Sequence, residues 1–570
     1  MKYSEMKYVR PDIDKVCFEF KALINDFTKS KSPEEADLIL EKINTFRNHF
    51  KTMEEIAYIN YTIDTNNKKF EDEQNYFDEV VPSYKDLENE YYKALVSAEF
   101  RNDLTEKYGK HLFELAENTL KSFSHEIIDD VKKENHLKSE YVKLKASAKV
   151  MFEGEEKNLQ ELTPYLESTD REIRKKAFEA MWGFFSDNAE KFDEIFDKLV
   201  YLRNDMAEKM NYKNFIELGY ARMERLDYDE KMVWDFRENV KKYLVPLSVK
   251  LREKQKIRLG LDELKFYDTM IYYIKGNATP KGGPEWIMEM GKKMYDELSS
   301  ETEEFMDFMI ENELFDVFSK KGKADMGYCN YIPDHKSPYI FANMNGTEDD
   351  ITVLTHEAGH AFQAYRSRNF PISEYASPTT ETCEIHSMGM EFLTYPWMNL
   401  FFNEDTEKFK FTHINEALNF LPYGVLVDHF QHWVYENPKA TPKQRNKRWL
   451  ELEKIYIPDI DYGDIEHLNK GGRWQKQSHI YEVPFYYIDY CLAQMCAFQF
   501  WSKAIHNNNG NGQYKESLKE YIELCDKGGS DTFLNLVESA NLRSPFSEEV
   551  FKDISQELEI YIDSIDDSNF

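Results

Sequence analysis

Cysteine is scarce in this chain. Six occur in 570 residues, at positions 17, 329, 383, 491, 496 and 525, and none forms a CxxC pair. There is no disulfide framework to read, and a reducing cytoplasm is the expected setting. Positive charge is also short: 73 Lys and Arg face 105 Asp and Glu, for a formal net charge of −32. Nucleic acid and anionic membrane surfaces need a basic face, so neither is expected as a partner. The acidic excess reads first as a solubility device and second as a modest preference for neutral or cationic peptides. No apolar run approaches the length of a membrane span, and the opening Met1-Lys-Tyr-Ser-Glu-Met-Lys has no apolar signal region. Internal repeats and Gly/Ser-rich linkers are missing too.

What the chain does have is aromatic mass, with 40 Phe and 37 Tyr in 15 % aromatic residues, which argues against disorder despite 31 % charge. From Ile13 to Ser97 apolar residues recur at spacings of three and four, as in Leu38, Ile43, Phe46 and Phe50, and predict long antiparallel helices. Pro11, Pro33 and Pro82 are expected near helix starts. A second helical block is predicted over 104–137. Alternation at Val142, Leu144, Val150 and Phe152, ending in Gly154, predicts a short hairpin and a boundary, so residues 1–165 are read as an N-terminal helical region and 166–560 as a second domain. That domain opens on Thr169-Asp-Arg-Glu172, a capping box ahead of Ile173, Ala177, Met181 and Phe184. Helices are expected onward through Phe236 to Lys256, punctuated by Gly260, Pro280 and Gly282-Gly283-Pro284.

The informative stretch is Ile351-Thr-Val-Leu-Thr-His-Glu-Ala-Gly-His-Ala-Phe-Gln363. On a helix His356 and His360 stand one turn apart on one face and can grip one metal ion, with Glu357 beside them as a general base. HExxH fixes only three positions, and with 14 His in the chain it would arise by chance in roughly a few per cent of such sequences. Its surroundings strengthen it. Asn345-Gly346 reads as a turn, Thr347 and Asp350 have capping-box spacing, and Leu354, Ala358, Phe362 and Tyr365 form an apolar stripe on another side from the histidines.

A catalytic zinc takes three protein ligands and keeps one position for water. Ser377-Pro378 predicts the start of a second helix, whose buried side carries Ile385, Met388 and Phe392 while Glu384, Ser387 and Glu391 face elsewhere. Glu384 is the preferred third ligand, and spacing leaves Glu381, Glu391 and His386 as rivals. Cys383, beside it, reads as a buried thiol. Upstream, Pro338 to Asn345 alternates as a strand with Ile340, Ala342 and Met344 on one face. As an edge strand it would pair with an extended peptide, placing Tyr339 and Asn343 against substrate; the pattern fits equally a strand that merely completes a small sheet. His429 and His432, three apart among Phe430 and Trp433 with no carboxylate partner evident, read as structural. Lys470-Gly-Gly-Arg-Trp-Gln-Lys-Gln-Ser-His479 does not match a phosphate-binding loop and is expected to be a mobile loop over the cleft, followed by Tyr481, Tyr486, Tyr487 and Tyr490.

The run Thr355-His-Glu-Ala-Gly-His-Ala-Phe-Gln363 with the later Glu384-Xaa-Xaa-Ser387 and Glu391 resembles the thimet oligopeptidase and oligoendopeptidase F family of zinc metallopeptidases. Ser478 to Tyr490 is similar to its shorter Pz-peptidase-like members, and the resemblance extends from about residue 165 to near 555. The resemblance implies a mainly α fold, a zincin-type helical ellipsoid with a deep internal channel and a small β-sheet beside the zinc helix. It implies one zinc ion on His356, His360 and Glu384, Glu357 as the base, and short unstructured peptides as substrates. It also implies that His479 and a tyrosine, Tyr490 with Tyr486 and Tyr487 as competitors, contact the reacting carbonyl. A carboxypeptidase using the same centre would need a fixed cation, for which Arg473 is the nearby candidate.

Overall fold

The computed structural model describes residues 1–324, 326–505, 512–567 and 570. Helices dominate. In the N-terminal region the helices Ile13–Thr28, Pro33–Ile63 and Lys68–Val96 pack on one another. Pro33 occupies the first turn of its helix, where no amide partner is lost, and Ser32 caps it by accepting from the Glu35 amide. Pro82 departs from expectation: it lies inside Lys68–Val96, near its middle. Its neighbours Phe77, Val80, Tyr84 and Leu87 are buried, and that packing outweighs the missing backbone donor. In the predicted stripe Ile43 and Phe50 are buried, but Leu38 is 53 % exposed.

The hairpin forms later than the alternation implies. Helix Ile128–Ala146 carries Val142 and Leu144, and only Val150–Phe152 (β1) and Glu155–Lys157 (β2) pair, across a turn with Glu153 and Gly154 both at positive φ. Helix Arg171–Asp187 is capped by Asp170, not Thr169, through the amides of Glu172 and Ile173.

The sheet that matters has three strands, β3 (Phe315–Phe318), β4 (Tyr328–Ile332) and β5 (Ser337–Met344), in the order β3-β5-β4. β5 is therefore central, parallel to β3 and antiparallel to β4, and the edge strands are β3 and β4, of which β4 borders the metal cavity. This corrects the reading of Pro338–Asn345 as the open edge. The strand nearest the motif in sequence is flanked by two others, and its residues are buried almost throughout. β5 leads into the HExxH helix, Asp349–Ser367, which packs against the ligand helix, Thr380–Leu393; that helix in turn lies on Tyr487–Ile505.

Candidate metal centre

The HExxH helix buries Leu354, Ala358, Phe362 and Tyr365 against the core and leaves His356 and His360 half-buried on its other side. It starts at Asp349, and no side chain caps it. The Asp350 carboxylate instead turns back to accept from the amides of Asn345 and Gly346, so Thr347 plays no capping part. The ligand helix likewise begins at Thr380, two residues beyond the predicted Ser377-Pro378 start.

Gly359 decides how close the two helices come. A Cβ there would lie 2.4 Å from the His386 carbonyl oxygen and 2.7 Å from Ser387 Cα. A glycine inside HExxH thus lets the second helix lie backbone-to-backbone on the first and deliver Glu384. The Glu384 Oε2 atom is 3.4 Å from His356 Nε2 and 3.5 Å from His360 Nε2. One ligand atom from each of the three residues falls within 4.8 Å of the others, the only such cluster among the described residues. Two neutral imidazoles and one carboxylate suit zinc with an open fourth position. His360 and His356 hold the Glu384 carboxyl well below its ordinary range, against burial that pushes the other way.

The rivals separate cleanly. Glu381 and His386 are buried outside the cluster, and burial together with the charge of His360 pushes His386 down to about 3. Burial pushes the Cys383 thiol up, and the sulfur lies outside the three-residue cluster. Glu391 has a different place. Its Oε1 accepts from His356 Nδ1 at 2.6 Å, which turns Nε2 toward Glu384 and would leave that nitrogen's lone pair for a metal ion once the ring is neutral. Its Oε2 accepts from His413 Nε2 at 2.7 Å, and His413 Nδ1 accepts from the Tyr395 hydroxyl at 2.7 Å. The sequence offers one signal for Glu391, two helical turns after Glu384 on the same face; for His413 it offers none.

Glu357 is 9 % exposed, lines the same cavity, and its Oε2 has no hydrogen-bond partner. Burial raises its carboxyl above the ordinary value while the flanking histidines oppose the rise. The cavity, about 380 Å³, is bounded by the outer edge of β4, the HExxH helix, Tyr486 and Tyr490. It shares Cys329, Asn330, Tyr331 and Ser377 with a neighbouring cavity of about 560 Å³ walled by Arg47, Glu54 and Glu88 of the N-terminal helices, so the two make one continuous cleft.

Among the tyrosines, Tyr486 donates to Glu384 Oε1 at 2.7 Å, and Tyr490 stands beside it at 5.0 Å between ring centroids. Tyr487 packs behind them on Phe420 and Tyr423. Tyr481 is fully buried, stacked on Tyr141. His479 lies within 6 Å of the Tyr486, Tyr487 and Tyr490 rings, just behind the cavity wall. Gln477 Nε2 donates to His479 Nδ1 at 2.8 Å, while Gln477 Oε1 accepts from the Tyr423 hydroxyl. Burial and Lys145 push His479 down to about 4, so at neutral pH its single proton sits on Nε2.

Two predicted substrate contacts are not brought to the cleft. Tyr339 is 2 % exposed with its ring against Tyr3, and Asn343 donates to the carbonyls of Ala324 and Met326, tying down the approach to β4. Both follow from β5 being central. The segment 470–479 is packed rather than loose: Trp474 and Gln475 are fully buried. Arg473 is held by Glu453 and Tyr462 between the Phe266 and Tyr423 rings, committed away from the metal cluster. His429 and His432 are structural, yet His432 does have a carboxylate, Asp428, at 3.3 Å.

No helix among the described residues is long and apolar enough to cross a membrane. Residues 3–123 match the model of the peptidase M3 N-terminal domain. Over 386 residues the chain is 23 % identical to oligopeptidase PepF of Bacillus subtilis (strain 168), covering 66 % of this chain but only 55 % of that relative. Over full length its fold matches a structure of Pz peptidase A with an inhibitor, at 52 % identity and a TM-score of 0.96, each chain covered 100 %. Oligoendopeptidase F from Enterococcus faecium shares the fold at 16 % identity and a TM-score of 0.62, with 97 % of this chain and 99 % of that one covered. Since residues 164–556, most of the sequence and all of the cluster just described, match the model of peptidase family M3, the chain belongs to that family.

Proposed function

We propose that this protein is a zinc endopeptidase that hydrolyses short unstructured peptides. His356, His360 and Glu384 would hold the ion, which when bound supplies Lewis acidity at the scissile carbonyl and acidifies water. Glu357 takes the proton of the attacking water and passes it to the leaving amine, a role suited to a carboxylate without a competing hydrogen bond. The outer edge of β4 pairs with the main chain of an extended peptide, which fixes the peptide without selecting its side chains. Tyr490 and the Nε2–H of His479 supply donors to the developing oxyanion, His479 once the ring turns or the peptide shifts the tyrosines beside it. Gln477 is a positioning residue that sets the His479 tautomer.

Region 1–165 forms one wall of the cleft and 166–560 carries the chemistry. Six free cysteines suit a cytoplasmic setting. The observation that carries the reading is the three-donor cluster with an unpartnered carboxylate on the same cavity wall. Glu357→Gln should hold zinc with wild-type stoichiometry and lose at least about a thousandfold in hydrolysis of a fluorogenic peptide. Near-normal hydrolysis by that variant would sink the mechanism.

A further inference from the structure

Beyond the layer of rings formed by Phe420, Tyr423 and Tyr487 lies a separate recess of about 560 Å³. Six carboxylates line it; Asp459 and Asp461 are paired with basic neighbours, which leaves four to consider: Glu167, Glu348, Asp349 and Glu416. None of the four has an ion-pair partner among the described residues. Asp349 and Glu416 reach the solvent inside the recess, whereas Glu348 is 9 % exposed and its Oε2 has no hydrogen-bond partner at all. The basic residues on the same walls are already engaged: Arg252 with Asp459, Lys265 with Asp461 and Glu263, Arg473 with Glu453. Lys408 offsets part of the charge on Glu348, with its ammonium over the Tyr273 ring.

Burying unpaired carboxylates together is unfavourable, and the groups respond by holding protons. Partial burial, with the charge of Asp349, brings Glu167 to about 7; Glu416 meets solvent, and desolvation in the recess with the crowding of Asp349 and Glu167 around it still raises its carboxyl above the ordinary value. A ligand carrying positive charge relieves all four at once. The recess and the metal centre lie along the same face of the HExxH helix, two turns apart. Asp349 lies seven residues before His356 on one helix. At 1.5 Å per residue that is about 10 Å, the span of about three residues of extended peptide.

We propose that this recess is a subsite for a cationic group of the peptide, a lysine or arginine side chain or a free α-amino group, seated about three residues from the bond that is cut. The proposal rests on the peptidase reading. It places a small part of the acidic excess that composition alone leaves unplaced, and it adds selectivity to a β4 edge that has little of its own.

The test is a neutral fluorogenic decapeptide and its relatives with arginine or the isosteric, uncharged citrulline at each position up to four residues on either side of the cleavage site, each with a free or acetylated amino terminus. A charge-assisted contact predicts an arginine-to-citrulline ratio in kcat/KM of about tenfold or more at one position or an adjacent pair, or the same gain for the free terminus. In Asp349→Asn/Glu416→Gln the ratio should fall to near one while the neutral peptide is cut at the wild-type rate. Ratios within twofold of one at every position, or a ratio untouched by the double substitution, overturn the proposal. If no peptide is cut, the hydrolase reading has failed instead, and fluorescence anisotropy of the same labelled peptides on Glu357→Gln protein still decides the subsite. Tighter binding of the cationic peptide, by about tenfold, supports it, and equal affinities refute it.

Discussion

Adding one methyl group at Gly359 tests how the metal centre is assembled. The new Cβ would sit 2.4 Å from the His386 carbonyl oxygen, and real side chains are not found within 3.0 Å. The obstructing atoms are backbone, so no rotamer change relieves them, and the two helices must separate by about 0.6 Å or more. Glu384 is two residues from His386 on the moving helix, while metal–ligand distances tolerate only about 0.2 Å. Glu384 would therefore be displaced several times further than the centre accepts. Gly359→Ala is expected to weaken zinc binding at least tenfold and lower kcat/KM about a hundredfold. Overpacking of this kind costs about 1–3 kcal/mol, offset in part by the roughly 1 kcal/mol that alanine gains over glycine in a helix. Gly183→Ala is the control: that glycine is also helical, and its Cβ would meet nothing within 4 Å. Zinc content by atomic emission, a competition titration with a metal chelator, and thermal unfolding of both variants give the answer. If Gly359→Ala bound zinc and turned over peptide like wild type, the backbone-contact argument would be wrong.

Other outcomes follow from the same geometry. Glu391→Gln and His413→Ala should each weaken zinc affinity by about tenfold to a hundredfold while leaving the far-ultraviolet spectrum unchanged, because they unset the His356 tautomer and not the fold. Gln477→Ala should lower kcat more than it changes KM, since it frees the His479 proton to sit on either nitrogen; Gln477→Glu, which accepts from Nδ1–H, should do so more strongly, and equal effects on kcat and KM would count against a positioning role. Desolvation in the recess and the neighbouring Asp349 and Glu167 raise the Glu416 carboxyl from the ordinary 4.5 toward about 8, a shift that its contact with solvent reduces. The native state thus holds more protons across that window, and stability falls as pH rises through it. Glu416→Gln should flatten that decline in chemical unfolding measured from pH 5 to 9; an unchanged slope would refute it.

What the sequence made legible was local. HExxH needs only an i, i+4 spacing, and the apolar stripe beside it fixes which way the histidines face. A carboxylate 24 residues later on a second helix is harder, since spacing leaves four candidates; the geometry brings Glu384 to the histidines and sets Glu391 behind His356. The main misreadings share one cause. Whether β5 is central or an edge depends on β3 and β4, whose pairing is set by tertiary packing and not by the alternation of β5 itself, and Tyr339 and Asn343 fell with that assignment. Pro82 was lost similarly, where burial overrode a local signal; on helix Ile128–Ala146 Val142 is exposed, so its alternation with Leu144 carried no packing information. His413 lies on the long helix Thr406–Glu436, and nothing near it in the chain announces that it reaches Glu391.

The seam between the N-terminal helices and the sheet has a kinetic consequence. Thr62 bonds the Tyr328 hydroxyl at 2.7 Å, Asn330 bonds Glu55 at 2.6 Å, the Thr65 amide bonds the Gly322 carbonyl at 2.7 Å, and Arg47 meets Glu374 at 2.7 Å with both side chains at most 10 % exposed. Parting that seam would break these bonds together while water reaches both charges of the pair, at a net cost of about 0.5–1.5 kcal/mol for each hydrogen bond lost, so a gaping conformer would be a minority of the population. A visiting chain therefore meets a rigid, already shaped mouth, and the rate of capture is governed by how thin and extended the visitor is, not by how often the protein yawns.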